Sequence, residues 1–326
     1  MSRSRESSDD WADTTAWPGL RRPSEWRERT PAGGDWPRVS IVTPVLNGRP
    51  FIEATILSVL KQGYPNLEYI IIDGGSTDGT IEVIRSYEKQ LAFWTTEPDR
   101  GMYEAINKGF ARASGEVFAW LNGDDMYLPW TLWIIGEIFS QLRGRVHWLI
   151  GAASYWDIHH RLLATIAPLS YHRKMIALGA YQSHGLGCIQ QESSFWTRTL
   201  WDRAGGYLDG RLRLAADFDL WKRFAGSAPL HRVEAVLSGF RVHPLQQSRA
   251  SEDLYQAEVD RILHREPGGW IRRLLRPRHV RWLFSQIIPR VRGGGPVIRY
   301  DRIRLNWTII EQRRKNVPPA GMRTSR

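Results

Sequence analysis

Cysteine is nearly absent: Cys188 is the only one among 326 residues. A single thiol excludes an intrachain disulfide and any structural zinc site built on several thiolates, and it points to a reducing compartment. A membrane-spanning run of about 18 apolar residues is also missing. The longest apolar stretch, around Leu128–Phe139, is broken by Gly136 and Glu137. Met1 to Asp10 are polar, with no apolar h-region, so a secretory signal is not expected. Neither GxxxxGK[ST] nor a GxGxxG after the first strand occurs, which disfavours ATP hydrolysis and dinucleotide hydride transfer. Together these absences lead to the expectation of a cytoplasmic protein, soluble or peripheral at the inner face of the cell membrane.

What is present is divided unevenly. The formal net charge is +11, yet residues 261–326 hold 17 Lys/Arg against 3 acidic residues, while residues 1–260 hold 28 basic and 31 acidic ones. The basic character is therefore a property of the C-terminal region, and any basic partner surface is to be sought there. Residues 1–37 mix Ser, Arg, Asp, Pro and Gly with isolated Trp and show no sustained period, and they read as a disordered leader. Length suggests about two units; the boundaries expected are 38–250 for a catalytic domain and 251–326 for the basic region.

From Arg38 the pattern becomes periodic. Val39-Ser40-Ile41-Val42-Thr43-Pro44 is a β-branched run suited to a buried strand, and Ile52, Ile56, Val59 and Leu60 follow at helical spacing. Leu67–Ile72 is a second apolar strand, and Gly74 to Gly79 is turn chemistry before a helix from Thr80, with Asp78 or Thr77 as the expected N-cap. A third strand at Ala92–Thr96, a helix from about Met102 to Ala113 and a fourth strand at Val117–Leu121 continue the alternation. Such βαβα order implies an α/β fold with a mainly parallel sheet and helices on both faces.

Ligands of such sheets bind beyond the carboxyl ends of the strands. There the chain places Thr43-Pro44 with Asn47, then Asp73, then Glu97 and Asp99, and finally Asn122, Asp124 and Asp125. One reading is that each Asp caps the turn after its strand. For adjacent Asp124 and Asp125 a second reading competes: a hard divalent cation, Mg²⁺ or Mn²⁺, completed by substrate phosphate oxygens, offsets their repulsion.

Three segments resemble the family 2 glycosyltransferases of GT-A fold. They are Ser40 to Asn47, Ile71-Ile72-Asp73-Gly74-Gly75-Ser76-Thr77-Asp78-Gly79-Thr80, and Trp120-Leu121-Asn122-Gly123-Asp124-Asp125. A fourth, Glu97 to Gly109, is similar to a polysaccharide-assembly branch of that family, and the whole resemblance covers about residues 38–245. It implies a nucleotide-diphospho-sugar half at 38–125 and an acceptor half at 126–250. In the first, Thr43, Pro44 and Asp73 would hold the nucleoside, Asp73 on the base, with Asn47, Asp99, Arg100 and Asn107 close by. Asn122-Gly123-Asp124 occupies the place of the family's DxD motif, so Asp124, with Asp125 beside it, would bind the metal and Asn122 would lie at the ribose. Asn122 departs from the usual Asp and removes one negative charge.

In the acceptor half, Gln190-Gln191-Glu192-Ser193-Ser194-Phe195-Trp196 resembles the family segment that leads to its catalytic acid motif. Ala215-Ala216-Asp217-Phe218-Asp219 then stands at the family's Glu-Asp pair, with Ala216 replacing the first acidic residue. Asp217 is the catalytic base this implies, with Asp219 second and a helix N-cap as its structural alternative. His184, Gln190 and Gln191 are weaker cleft candidates. Arg241 and His243 read as diphosphate contacts or as an exposed strand end. Cys188, with no paired base, is expected to be a small buried side chain.

The basic region intersperses arginines with Trp270, Ile271, Leu274, Trp282 and Phe284, the composition of an interfacial membrane helix. An anionic membrane surface is the partner expected for 261–326, ahead of packing on the domain; nucleic acid is disfavoured because no nucleic-acid module accompanies the charge. The function these features imply is metal-dependent, inverting transfer of a sugar from a nucleotide-sugar donor to a glycan or lipid-linked acceptor. The rivals are a nucleotidyltransferase, whose glycine- and lysine-rich first loop Val45 to Arg49 does not supply, and a non-catalytic scaffold, favoured by Asn122 and Ala216.

Overall fold

A computed structural model describes residues 28–169, 171–183, 185–244, 246, 252–264 and 295–310. Most of the leader and the stretch 265–294, with Trp270 through Ile288, lie outside these residues, as does His184.

The alternation read from the sequence is the first half of the fold: β1 (Val39–Val45), α1 (Ile52–Leu60), β2 (Leu67–Asp73), α2 (Thr80–Ser86), β3 (Phe93–Thr96), α3 (Met102–Arg112) and β4 (Val117–Trp120). β1 pairs in parallel with both β2 and β4, and β2 pairs in parallel with β3, which gives the order β4-β1-β2-β3. Successive residues of β1 feed opposite faces: Val39, Ile41 and Val45 pack in one core cluster and Val42 in the other. Both faces are thus apolar, which is why the strand reads as an unbroken β-branched run. α3 lies so close to β1 that a Cβ on Gly109 would come within 2.4 Å of Val42 Cγ1, and only glycine fits there.

The second half carries β5 (Met126–Tyr127), α4 (Thr131–Gln141), β6 (Trp148–Asp157), β7 (Leu162–Ile166), α5 (Arg173–Ala177), β8 (Ser194–Thr197), α6 (Arg198–Arg203), α7 (Ala216–Ser227) and β9 (His231–Val242). β8 inserts antiparallel between β4 and β6 and so joins the two halves into one sheet. The basic region is not a separate appendage where it is described. α8 (Glu252–His264) buries Val259, Ile262 and Leu263 in the main core, and β10 (Val297–Asp301) with β11 (Asn306–Ile310) extends the sheet beyond β9. Val297 and Ile298 pair with Arg232 and Val233, so this stretch is strand rather than helix because it completes an existing edge.

Two further expectations are revised. Trp36, read as leader, is buried edge-on between Tyr64 and Trp133, and Tyr64 donates to Pro37 O, so the packed domain begins before Arg38. Asp78 is not the N-cap of α2. Gly79 holds that position at φ +95°, and the Asp78 carboxylate instead accepts from the Arg49 and Thr80 N–H groups and from the Thr80 hydroxyl.

Most of the described tryptophans are core. Trp120, Trp148, Trp196, Trp201 and Trp221 form one aromatic cluster under the sheet with Phe110 and Phe224; Trp221 stacks on Trp120 and Trp148 at 5.9 and 5.2 Å.

Candidate active site at the carboxyl end of β4

β1 is flanked by β2 on one side and β4 on the other, so the chain reverses its order of addition between β1 and β4. That reversal is the crevice where open α/β sheets take ligands. The turn after β4 sits directly against the end of β1: a Cβ on Gly123 would meet Val45 Cγ2 at 2.9 Å. Asn122, Asp124 and Asp125 are delivered there together with Thr43 and Pro44.

Their side chains are used differently. Asp73 is fully buried and receives four donors: Gly75 N–H, Ser76 N–H, the Ser76 hydroxyl and the Thr96 hydroxyl. Asp73 thereby shapes the loop after β2, with three of these donors on Oδ2 and one on Oδ1. Asn47, at φ +51°, clamps the same loop; its N–H donates to Ser76 Oγ and its Oδ1 accepts from Thr77 N–H. The Thr43 hydroxyl is buried against Tyr69 at 3.0 Å. Asp99 borders the crevice, with its Oδ2 against Gly74, while Arg100 is exposed and paired with Glu104. Asn107 makes a contact of another kind. Both ends of its amide bond to the backbone of Leu208, so it ties α3 to the acceptor half.

Asp124 and Asp125 separate as well. Asp125 is 1% exposed, its Oδ1 accepts from Arg241 N–H, and burial with the fields of Asp124 and Glu192 raises its pKa well above the ordinary carboxylate range. It is committed to the scaffold rather than open to a ligand. Asp124 stays about a third exposed, and its Oδ2 lies 2.9 Å from His243 Nε2. Asn122 Oδ1 is buried with no hydrogen-bond partner. Arg241 and His243, far from being an exposed strand end, are 1% and 5% exposed, and both lie against the Phe51 ring.

Asp217 lies in the first turn of α7. Its N-cap, Ala215, has no capping side chain, so the free N–H groups are satisfied from elsewhere. Glu258 of α8 accepts from the N–H groups of Arg213, Leu214 and Ala215, and Tyr103 of α3 hydrogen-bonds to the backbone of Ala216 and Asp217. Burial pushes the Asp217 carboxyl up to about 6, against the lowering effect of the Phe218 N–H and its own. Asp219 is paired with Arg223 at 2.9 Å, which removes it as a free base. Cys188 is exposed rather than buried.

One residue that the motifs left without a role joins the two groups. Glu192 sits in a short turn, Gln191–Ser193, anchored by Gln191 Nε2 on Trp120 O and by Ser193 against Ser238. It is 3% exposed, Oε1 has no partner, and burial followed by the fields of Asp217 and Asp124 raises it to about 7. Asp124 and Asp217 thus both act electrostatically on one buried carboxyl. Glu192 stands in a family-like segment but has no role assigned there, and Glu258 has no local signal, since it acts on residues more than forty positions away.

Comparison with known proteins identifies the family. Residues 40–136 match the profile of Glycosyl transferase family 2. An uncharacterized glycosyltransferase of Mycobacterium tuberculosis is 38% identical over 211 residues, 63% of this chain and 75% of that protein. A Rickettsia conorii glycosyltransferase is 29% identical over 219 residues; the match takes in 65% of this chain but only 35% of that protein's length. Among solved structures, Staphylococcus aureus TarS residues 1–349 with UDP-GlcNAc gives a TM-score of 0.54 at 16% identity, over 69% of this chain and 70% of that one. The mannosyltransferase PcManGT from Pyrobaculum calidifontis, with GDP-Man and Mn²⁺, gives 0.53 at 19% identity, over 71% and 65%. These two likenesses establish the fold as GT-A-like. The chain belongs to glycosyl transferase family 2.

Proposed function

We propose that the protein transfers a sugar from a nucleotide-diphospho-sugar to a hydroxyl of a glycan or lipid-linked acceptor, with inversion at the anomeric carbon. The observation that supports this reading is that Asp124, at the switch point of the sheet, and Asp217, in the first turn of α7, are both close enough to the buried Glu192 carboxyl to raise it. Asp217 takes the acceptor proton as the oxygen attacks the anomeric carbon, and the nucleoside diphosphate leaves on the opposite side. The relatives support the class, since TarS and PcManGT were solved with UDP-GlcNAc and GDP-Man.

A divalent cation fits the residues at the end of β4. Asp124 and His243 Nε2 converge on one point and Asn122 Oδ1 is an orphaned buried acceptor, so these three would hold it. Among the described residues no cluster of three or more acidic, His or Cys side chains forms a ready cage, which suits an ion that takes its remaining ligands from substrate phosphates. When bound, Mn²⁺ or Mg²⁺ would offset the charge of the diphosphate leaving group.

The test is a panel of nucleotide-sugars scored by protection against thermal unfolding, with Mn²⁺ and with EDTA, followed by a transfer assay on the best binder. Asp124→Ala should weaken metal-dependent binding about tenfold or more, and equal binding with and without EDTA would remove the metal from the reading. The pH profile supplies a second check. The base must be ionised, so kcat/KM should rise with pH through about 6 and fall about tenfold per unit below it. A flat profile between pH 5 and 7 would point to another base.

A further inference from the structure

The turn that carries Glu192 is held by its neighbours. Gln191 Nε2 donates to Trp120 O at 2.6 Å, Ser193 Oγ shares a hydrogen bond with Ser238 Oγ and lies 3.4 Å from Ala152 O, and Ser194 Oγ donates to Gln190 O at 2.8 Å. These bonds fix the turn to β4, β6 and β9 without the Glu192 side chain. That side chain is 3% exposed and bonds to its own N–H, while Oε1 is buried with no partner. The charges that act most on it are those of Asp217 and Asp124, both of its own sign. A buried acid so placed costs stability until a donor reaches it.

The donor has to come from a ligand, and two kinds are conceivable. A divalent cation needs several protein ligands at once. Among the described residues no group of three His, Cys or acidic side chains is placed to hold one, so Glu192 does not join Asp124 and His243 as a third ligand. A hydroxyl needs a single acceptor, which Oε1 supplies. Its place in the crevice is set by the Gln191 bond, which anchors the turn to Trp120 at the end of β4, two residues before Asn122. In an in-line displacement the sugar lies between the base, Asp217, and the diphosphate end of the site, Asp124. A carboxyl close enough to act with both borders that sugar ring. The last torsion of a glutamate side chain is soft, so a turn of the carboxyl brings Oε1 to the crevice.

We propose that Glu192 is a sugar-binding residue: its Oε1 accepts a hydrogen bond from a ring hydroxyl of the glycosyl group being transferred, and so selects the sugar and orients its ring for attack. This role rests on the transfer reading above and assigns it a residue that recognises the sugar rather than the nucleotide. No hydroxyl is left on the diphosphate for Glu192 to meet, so its loss should leave nucleoside diphosphate binding intact.

The test uses the full chain with Glu192→Gln and with Glu192→Met, which fills a similar volume without charge. UDP-glucose, UDP-galactose, UDP-GlcNAc and GDP-mannose are compared with UDP and GDP alone. In both variants the Kd for UDP or GDP should stay within about twofold, and Tm should hold or rise, because an unpaired buried acid has been removed. Transfer from the preferred donor should fall about tenfold or more in Glu192→Met, the worth of a hydrogen bond to a charged group. Deoxy analogues of that donor supply the decisive arm. Removing the contacted hydroxyl should slow the wild type about as much as Glu192→Met does, and should cost the variant nothing further. Unchanged transfer in Glu192→Met would overturn the proposal, as would deoxy penalties that persist in full in the variant. A fall in Tm together with lost UDP or GDP binding would make Glu192 structural, and weaker Mn²⁺ binding would make it a metal ligand; either result overturns the sugar contact. A wild type that transfers from no donor would instead remove the transfer reading, and the sugar contact with it.

Discussion

Asp217→Asn should lower the transfer rate by ~10²–10⁴-fold, the usual range for a positioned general base, while the Kd for nucleotide stays within a factor of about two. The substitution preserves shape and keeps an oxygen able to accept the Phe218 N–H, so α7 should hold its place. It removes only the ability to take a proton. Asp219→Asn is the paired control. That carboxylate is already occupied by Arg223, and its loss should cost a local ion pair and less than about tenfold in rate. Initial rates and nucleotide binding on the two variants separate the cases. Were Asp219→Asn the inactive one and Asp217→Asn normal, the base would be misassigned and the ion pair would have to open during turnover.

Trp196→Ala should destabilise the fold by ~3–5 kcal/mol, the cost of emptying a large buried aromatic site. Trp196 is fully buried in β8 and touches Trp120, Trp201, Trp221, Phe110 and Phe224. Few side chains here bear on so many elements, because β8 is the strand that joins β4 of the nucleotide half to β6 of the acceptor half. In a domain of this size the loss corresponds to a fall in Tm on the order of 10 °C. Chemical denaturation and a thermal melt measure it. A change below about 1 kcal/mol would mean that the aromatic cluster relaxes to fill the space and is not the centre of the core.

Much of the nucleotide half was legible. The strand ends at Thr43, Asp73 and Asn122 were found because apolar runs stop there, and each does lie at the carboxyl edge of the sheet. What the runs could not say was how each carboxylate is used. Asp73, Asp125 and Asp124 look alike in sequence. Asp73 is held by Ser76 nearby and by Thr96, 23 positions on; Asp125 is bound by Arg241, 116 positions on; Asp124 is left facing solvent and His243. Asn107 looked like part of the donor motif, yet it closes on Leu208, 101 positions away.

The same distinction runs through the whole molecule. Local patterning determined the elements, their βα alternation, and hence a parallel sheet with its ligand edge, because hydrophobic period and turn chemistry are properties of neighbouring residues. The near absence of cysteine likewise settled that no disulfide framework could hold the chain. Which acidic groups remain free, that Glu192 feels the charges of both Asp124 and Asp217, and that Glu258 supports the helix bearing Asp217 were decided only in three dimensions. A carboxylate's protonation and availability depend on the donors and charges that surround it, and here those come from strands and helices that meet only after the sheet has formed.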